Sequence, residues 1–285
     1  MSTKPTSRTL LVWFVLGLLI AAAATAVNKQ PATATPKLSL AEKEAFLLNA
    51  KIVKKWHTPR GSVNPWQAIL DDGKMRHDAH IQAIEVSKPS HETPRGTEYN
   101  YRDSYKYNIA AYELAKILEL DMIPPSVERK VDGQNTAVTW WVDDKMFDEV
   151  DRVLRNIQPP DRDSWEKQMH VVPVFDQLIY NTDRNKGNLV ITKDWQIWMI
   201  DHTRAFRTHK SLENPTSLVR CDRRLLAKLR ELDKRILKER LGKHLTGPEI
   251  DGILARRDTI VRLFDEQIAK KGGEAILYDL AGVRK

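Results

Sequence analysis

The chain has 285 residues, 46 Lys+Arg against 38 Asp+Glu, and a formal net charge of +8. Apolar residues make up 41% and charged residues 29%, which allows a sizeable core and excludes wholesale disorder. The single cysteine, Cys221, excludes an intrachain disulfide and a CxxC zinc site. The basic balance fits an anionic partner without choosing among nucleotide, nucleic acid and membrane surface.

Residues 9–28 carry no charge, and Lys4 and Arg8 precede them. The apolar run 10–20 followed by Ala24-Thr25-Ala26 reads as a signal peptide. It reads equally as a membrane anchor, because residues 10–27 come near the minimum for crossing ~30 Å of hydrocarbon at ~1.5 Å per residue. The expectation is a chain anchored in a membrane or exported. Basic residues flank the segment on both sides, so its orientation stays open. Residues 1–28 are thus a signal peptide or anchor, and 29–39, with two prolines, a linker.

Residues 40–51 read as a helix capped by Ser39. Short strands and turns follow from 52 to 86, with Gly61-Ser62 as one turn signal and Asp71-Asp72-Gly73 as a hairpin signal. Residues 81–86 alternate like a half-buried strand, and 104–120 form an amphipathic helix. Residues 126–129 and 136–142 are strand-like around the turn Asp132-Gly133. A long apolar helix is expected at 164–180, interrupted near Pro173, then two short strands at 189–192 and 196–200. Two helices close the chain, 222–241 and 248–270, the second opening with the capping box Thr246-x-x-Glu249. The fold class is α+β with two lobes: a β-rich half over 40–143 and a helical half over 144–285.

The chemistry concentrates between Asp176 and Phe206. A helix ends in Asn181-Thr182-Asp183-Arg184, a polar loop runs to Asn188, and a hairpin delivers Ile200-Asp201-His202. Phosphoryl transfer from ATP needs a carboxylate to orient the attacking hydroxyl, oxygen ligands for Mg²⁺ or Mn²⁺, and a cation for the phosphates. Asp183 and Asn188 have the D-x-x-x-x-N spacing of a kinase catalytic loop, and Asp201 follows as a metal-binding aspartate would. Kinase logic also places a glycine turn at Gly61, a phosphate-binding lysine at Lys88, and a glutamate partner on the helix 104–120, where Glu113 stands. The position that aligns with the helix glutamate is Asn108, five residues at ~100° each put Glu113 on another face, and Glu98 is a third candidate.

At these residues the chain resembles atypical kinases: secretory-pathway casein-kinase-like enzymes, bacterial persistence-toxin serine kinases and the phosphatidylinositol 3-/4-kinase-like fold. The resemblance also takes in residues 104–128 and a hinge at Thr139-Trp140-Trp141-Val142. It implies a two-lobed kinase-like fold with ATP between the lobes. Asp183 and Arg184 would be catalytic, Asn188 and Asp201 would hold the metal, and Gly61, Lys88, Glu113, Trp141 and Val142 would bind the nucleotide. The acceptor would be a hydroxyl on a protein, lipid or small molecule. The rival is a pseudokinase that binds nucleotide or a partner without turnover.

A calcium loop at Asn181, Asp183 and Asn185 fails because Lys186 and Thr192 stand where Gly and Glu are needed. His77 and His80, three apart on a strand, face opposite sides and suit structural roles. The basic stretch 220–243 reads as a solvated helix face, and no nucleic-acid partner is expected.

Overall fold

The computed structural model describes residues 38–280 apart from 59–64 and 94–95. The expected signal or anchor segment, most of the linker and Gly61 lie outside the described residues. Among the described residues, no helix is long and apolar enough to cross a membrane.

Helix α1 (Leu40–Asn49) opens with a capping box: the Ser39 hydroxyl accepts from the Glu42 amide, and the Glu42 carboxylate accepts from the Ser39 amide at 2.8 Å. Strands β1 (Lys51–His57), β2 (Trp66–Asp71) and β3 (Arg76–Gln82) follow as an antiparallel meander. The expected β2–β3 hairpin forms because Asp71 and Asp72 accept from the amides of residues 73–75, and Gly73 takes φ 85°. Strands β4 (Glu85–Thr93) and β5 (Gly96–Ser104) pair only with each other, and helix α2 (Lys106–Ile117) comes next. Strands β6 (Ser126–Val131) and β7 (Gln134–Trp140) turn at Asp132-Gly133, both at positive φ, as a tight hairpin requires. The five-stranded sheet has the order β1-β2-β3-β7-β6. Phe46 and Leu47 of α1 pack on it with Ala68, Leu70, Ile81 and Val138.

The strand expected at 81–86 is two strands. Pairing of β3 with β7 ends at Gln82 opposite Ala137, and the Ile84 carbonyl accepts from the Tyr105 amide at 2.7 Å. The chain therefore leaves the sheet and restarts at Glu85 as a separate ribbon.

The second half begins with β8 (Lys145–Asp148), α3 (Glu149–Leu154), α4 (Arg162–Ile179), β9 (Leu189–Thr192) and β10 (Ile197–Met199), the strands forming a sheet ordered β10-β9-β8. Helix α4 runs unbroken through Pro173, contrary to the expected interruption. Its buried face, including Val171, Val174, Phe175 and Leu178, holds the helix together despite the backbone hydrogen bond that proline forgoes. Strand β11 (Cys221–Asp222), α5 (Arg223–Glu231), α6 (Lys234–Leu241), α7 (Gly247–Lys271), α8 (Gly273–Ile276) and β12 (Leu277–Tyr278) complete the chain. The single helix expected over 222–241 is split: Leu232 is extended, and Asp233 caps a new start by accepting from the Ile236 amide at 2.7 Å. The predicted Thr246/Glu249 capping box opens α7. Cys221 is buried, as a small core residue would be.

Helix α2 joins the two halves. Ile109 meets Ala137 of the sheet, while Tyr107 and Leu114 belong to the large core built by α4, α5, α6 and α7. Arg256 of α7 is fully buried and donates to the carbonyls of Leu178 at 2.8 Å, Arg207 at 3.0 Å and His209. Gly252 leaves room for it, since a Cβ there would lie 2.8 Å from Nη1. Arg256→Met should cost about 3 kcal/mol, because orphaned buried carbonyls cost ~1–3 kcal/mol each. Urea unfolding checks this, and an unchanged midpoint would remove the role of the guanidinium as a staple.

Candidate active site

The loop after α4 is held by its own polar side chains. Tyr180 ends the helix in the left-handed region at φ 48°. Asn181 then donates from Nδ2 to Asp176 Oδ1 at 3.0 Å and accepts from the Asp183 amide at 3.1 Å. Asn185 accepts from the Gly187 amide at 2.9 Å and starts a 3₁₀ turn over Lys186–Asn188. These local bonds place Asp183 and Asn188 at the two ends of one short turn, and Asn188 Nδ2 reaches the Asp183 carbonyl at 3.5 Å.

The β9–β10 hairpin brings the third member. Ile200 donates its amide to the Asn188 carbonyl at 3.0 Å, so Asp201 emerges beside the loop. Asp201 sits at φ 55°, and its Oδ1 accepts from Thr203 Oγ1 at 3.2 Å. The residue opens to solvent at the mouth of a cleft, yet crowding by protein pushes its carboxyl above the usual range, with the charges of Asp103 and Asp183 adding to the shift.

Asp183, Asn188 and Asp201 line one cavity of about 580 Å³. The predicted hinge Thr139-Trp140-Trp141-Val142 lines it as well, with apolar walls from Ile123, Val190 and Met199. Asp183, Asn188, Asp201 and the hinge expected from the sequence therefore share one cleft.

Three others do not line it. Lys88 is exposed on β4, paired in register with Tyr101, because the chain has already left the main sheet at Gln82. Glu113 binds Lys116 at 2.6 Å and Arg240 of α6 at 2.8 Å, on the face of α2 turned toward the helical half. It is no partner for Lys88. Arg184, expected among the catalytic residues, does not line the cleft and staples the loop instead. Its guanidinium grips Asp176 at 2.8 and 3.1 Å and donates to the carbonyls of Asn188 at 3.1 Å and Ile200 at 2.9 Å. Its Nη2 also lies 3.0 Å from His202 Nε2. A guanidinium only donates, so that ring nitrogen accepts and the buried imidazole is neutral. Burial and the adjacent arginine charge both hold His202 well below the ordinary histidine range.

The structure also brings in residues the sequence did not reveal. His80 and Gln82 alternate with the core residues Ala79 and Ile81 on β3 and face the cleft. Gln82 Oε1 accepts from Asn108 Nδ2 of α2 at 2.8 Å. This neutral pair spans β3 and α2, where kinase logic sets a lysine and a glutamate. Asn108 Oδ1 in turn accepts from the His202 amide at 2.7 Å, tying α2 to the Asp201 loop. Arg204 pairs with Asp183 at 3.3 Å and with Glu98 of β5 at 3.6 Å. Asn108 stands at the position that aligns with the helix glutamate, and the polar alternation His80-x-Gln82 is the signal the sequence carries for β3.

Among the described residues, no group of three or more His, Cys, Asp or Glu side chains is close enough to hold a metal alone. The donors that line the cleft are nevertheless hard oxygens, Asp201, Asn188 and Asp103, and Asp103 Oδ1 is buried without a hydrogen-bond partner. Such a set suits Mg²⁺ or Mn²⁺, which take one or two carboxylates and complete their shell with phosphate oxygens and water.

The sequence matches no protein-family model and no curated protein. Its fold does match solved structures. A hydra Fam20 protein, determined with sugar, superposes over 84% of this chain and 92% of its own with a TM-score of 0.63 at 16% identity. The Golgi casein kinase with Mn/ADP bound superposes over 84% of this chain and 79% of its own, with a TM-score of 0.62 at 12% identity. A second structure of the Golgi casein kinase gives 0.61 at 12% identity over 84% of this chain and 78% of its own. The chain has an atypical kinase-like α+β fold.

Proposed function

We propose that this protein is a metal-dependent phosphotransferase that moves the γ-phosphoryl of ATP to a hydroxyl acceptor. The observation that carries the reading is the convergence of Asp183, Asn188 and Asp201 on one cleft with the Trp141–Val142 hinge. The apolar walls at Ile123, Val190 and Met199 suit a flat base, and the carboxylates lie where phosphates and metal would follow. Bound Mg²⁺ or Mn²⁺ would neutralise charge on the transferred group. Asn188 and Asp201 would hold it, and Asp183 would orient the acceptor hydroxyl and take its proton. Arg204 fixes the Asp183 carboxylate, and Arg184 locks the loop through Asp176.

One observation favours the second reading, a nucleotide-binding module with little turnover: the neutral Gln82–Asn108 pair offers no cation to the phosphates. Isotopic ATP with Mg²⁺ or Mn²⁺ separates the two. Metal-dependent binding with label moving to the protein or to added hydroxyl acceptors supports the phosphotransferase. Binding without transfer selects the module, and absence of nucleotide binding with either metal overturns both. The apolar segment 10–27 would place the domain at a membrane or beyond it. Mass spectrometry of the cellular protein checks this, since an intact N-terminus in the soluble fraction rejects both anchor and signal peptide.

A further inference from the structure

Asp103, next to last in β5, is 6% exposed and lines the cleft. Its Oδ2 accepts from Tyr101 Oη at 3.2 Å, while its Oδ1 is buried and has no hydrogen-bond partner among the described residues. A buried carboxylate oxygen left unpaired is costly, so a folded protein keeps one where something else completes it. Its neighbourhood is fixed against the Asp201 loop: the Ser104 amide donates to the Thr203 carbonyl at 2.8 Å.

The charge balance of the cleft indicates what is missing. Among the described residues, Asp103, Asp183 and Asp201 line it against the cation Arg204, with Lys145 set beside Asp148. Arg204 is already shared between Asp183 and Glu98, and Lys145 lies 3.9 Å from Asp148. His202 is neutral because its Nε2 accepts from Arg184, and burial holds His80 down to about 4, so neither adds charge at neutral pH. At the inner wall the Gln82–Asn108 pair is neutral. Among the described residues, a polyphosphate entering alone meets a surplus of negative charge, which a bound cation offsets.

We propose that Asp103 is a second metal-ligating carboxylate, acting with Asp201 to hold a divalent cation that takes over the phosphate-neutralising task the Gln82–Asn108 pair cannot perform. This rests on the nucleotide-binding reading and deepens it. Two carboxylates are too few for tight binding of the ion alone, so the ion and the nucleotide must bind cooperatively, each supplying ligands or charge for the other.

The test uses the full-length protein, ADP and Mn²⁺, with free Mn²⁺ followed by electron paramagnetic resonance. Wild type should bind Mn²⁺ at least about tenfold more tightly with ADP present than without it. Asp103→Asn should lose about tenfold or more of that ADP-coupled affinity. Its metal-free ADP affinity should be equal or higher, because one repulsive charge is gone; a merely structural role would weaken both. Asp103→Cys should shift the preference toward the soft cation Cd²⁺ over Mn²⁺. This second variant also serves if Asp103→Asn does not fold. Wild-type Mn²⁺ coupling in Asp103→Asn, or an unchanged Cd²⁺/Mn²⁺ preference in Asp103→Cys, overturns the role of Asp103 while the nucleotide reading stands. Failure of the wild type to bind ADP with or without Mn²⁺ overturns both.

Discussion

Asp201→Asn should abolish phosphoryl transfer and leave the fold intact. Asp201 occupies the left-handed region at φ 55°, which most residues resist and asparagine accepts readily. The replacement also keeps the shape of the side chain and an oxygen for the 3.2 Å contact with Thr203. It removes the negative charge that a metal ligand requires. Metal stabilisation of the transferred group is worth several kcal/mol, so turnover should fall by at least about 10³-fold. Metal-dependent ATP affinity should fall with it, whereas the melting temperature should hold or rise, because a crowded carboxylate repelled by Asp103 and Asp183 is gone. Calorimetric titration with MgATP and a thermal melt measure the two separately. Wild-type metal-dependent binding in the variant would take Asp201 out of the site.

Asp183→Ala should separate binding from turnover. A carboxylate that orients and deprotonates the acceptor hydroxyl acts chiefly in the transition state, so its loss should lower kcat by about 10²–10⁴-fold. ATP affinity should change little, or improve slightly as one negative charge leaves the cleft. The fold should tolerate the change: the carboxylate is half-buried, its ion-pair partner is Arg204, and Arg204 retains Glu98. Rapid-quench measurement of phosphate transfer beside equilibrium ATP binding checks this. Equal losses in both would make Asp183 a structural or binding residue. Unchanged turnover would move the hydroxyl-orienting task elsewhere in the cleft.

The two variants differ because the two aspartates come from different elements. Asp183 hangs on a loop that its own neighbours fold, through Asn181, Asn185 and the αL residue Tyr180. Asp201 is aimed by the β9–β10 hairpin and by a bond from the Ile200 amide to the Asn188 carbonyl. Arg184 joins them with one guanidinium touching Asp176, Asn188 and Ile200. Its fork suits that task in a way a lysine ammonium would not.

The sequence by itself determined the features that neighbouring residues control. Ser39 and Thr246 cap their helices, Asp71-Asp72-Gly73 and Asp132-Gly133 turn their hairpins, and Asp183, Asn188 and Asp201 reach one cleft in the expected order. Each depends on contacts within a few residues or on a short hairpin, so spacing along the chain carries the information. The split of the helix expected over 222–241 was missed because its apolar spacing continues across the break, while the cap at Asp233 competes locally with the helix. Only the tertiary structure decided what faces Asp201 across the cleft. Gln82 meets Asn108 across 26 positions, and His202 meets Asn108 across 94. Lys88 was nominated by residue type and order, yet the end of β3–β7 pairing at Gln82 sends it onto a separate ribbon. Asp103 carried no local signal, because an unpaired oxygen is defined by which groups fail to reach it. That is fixed by how β5 and the 201–204 loop pack together, and periodicity along the chain holds no record of it.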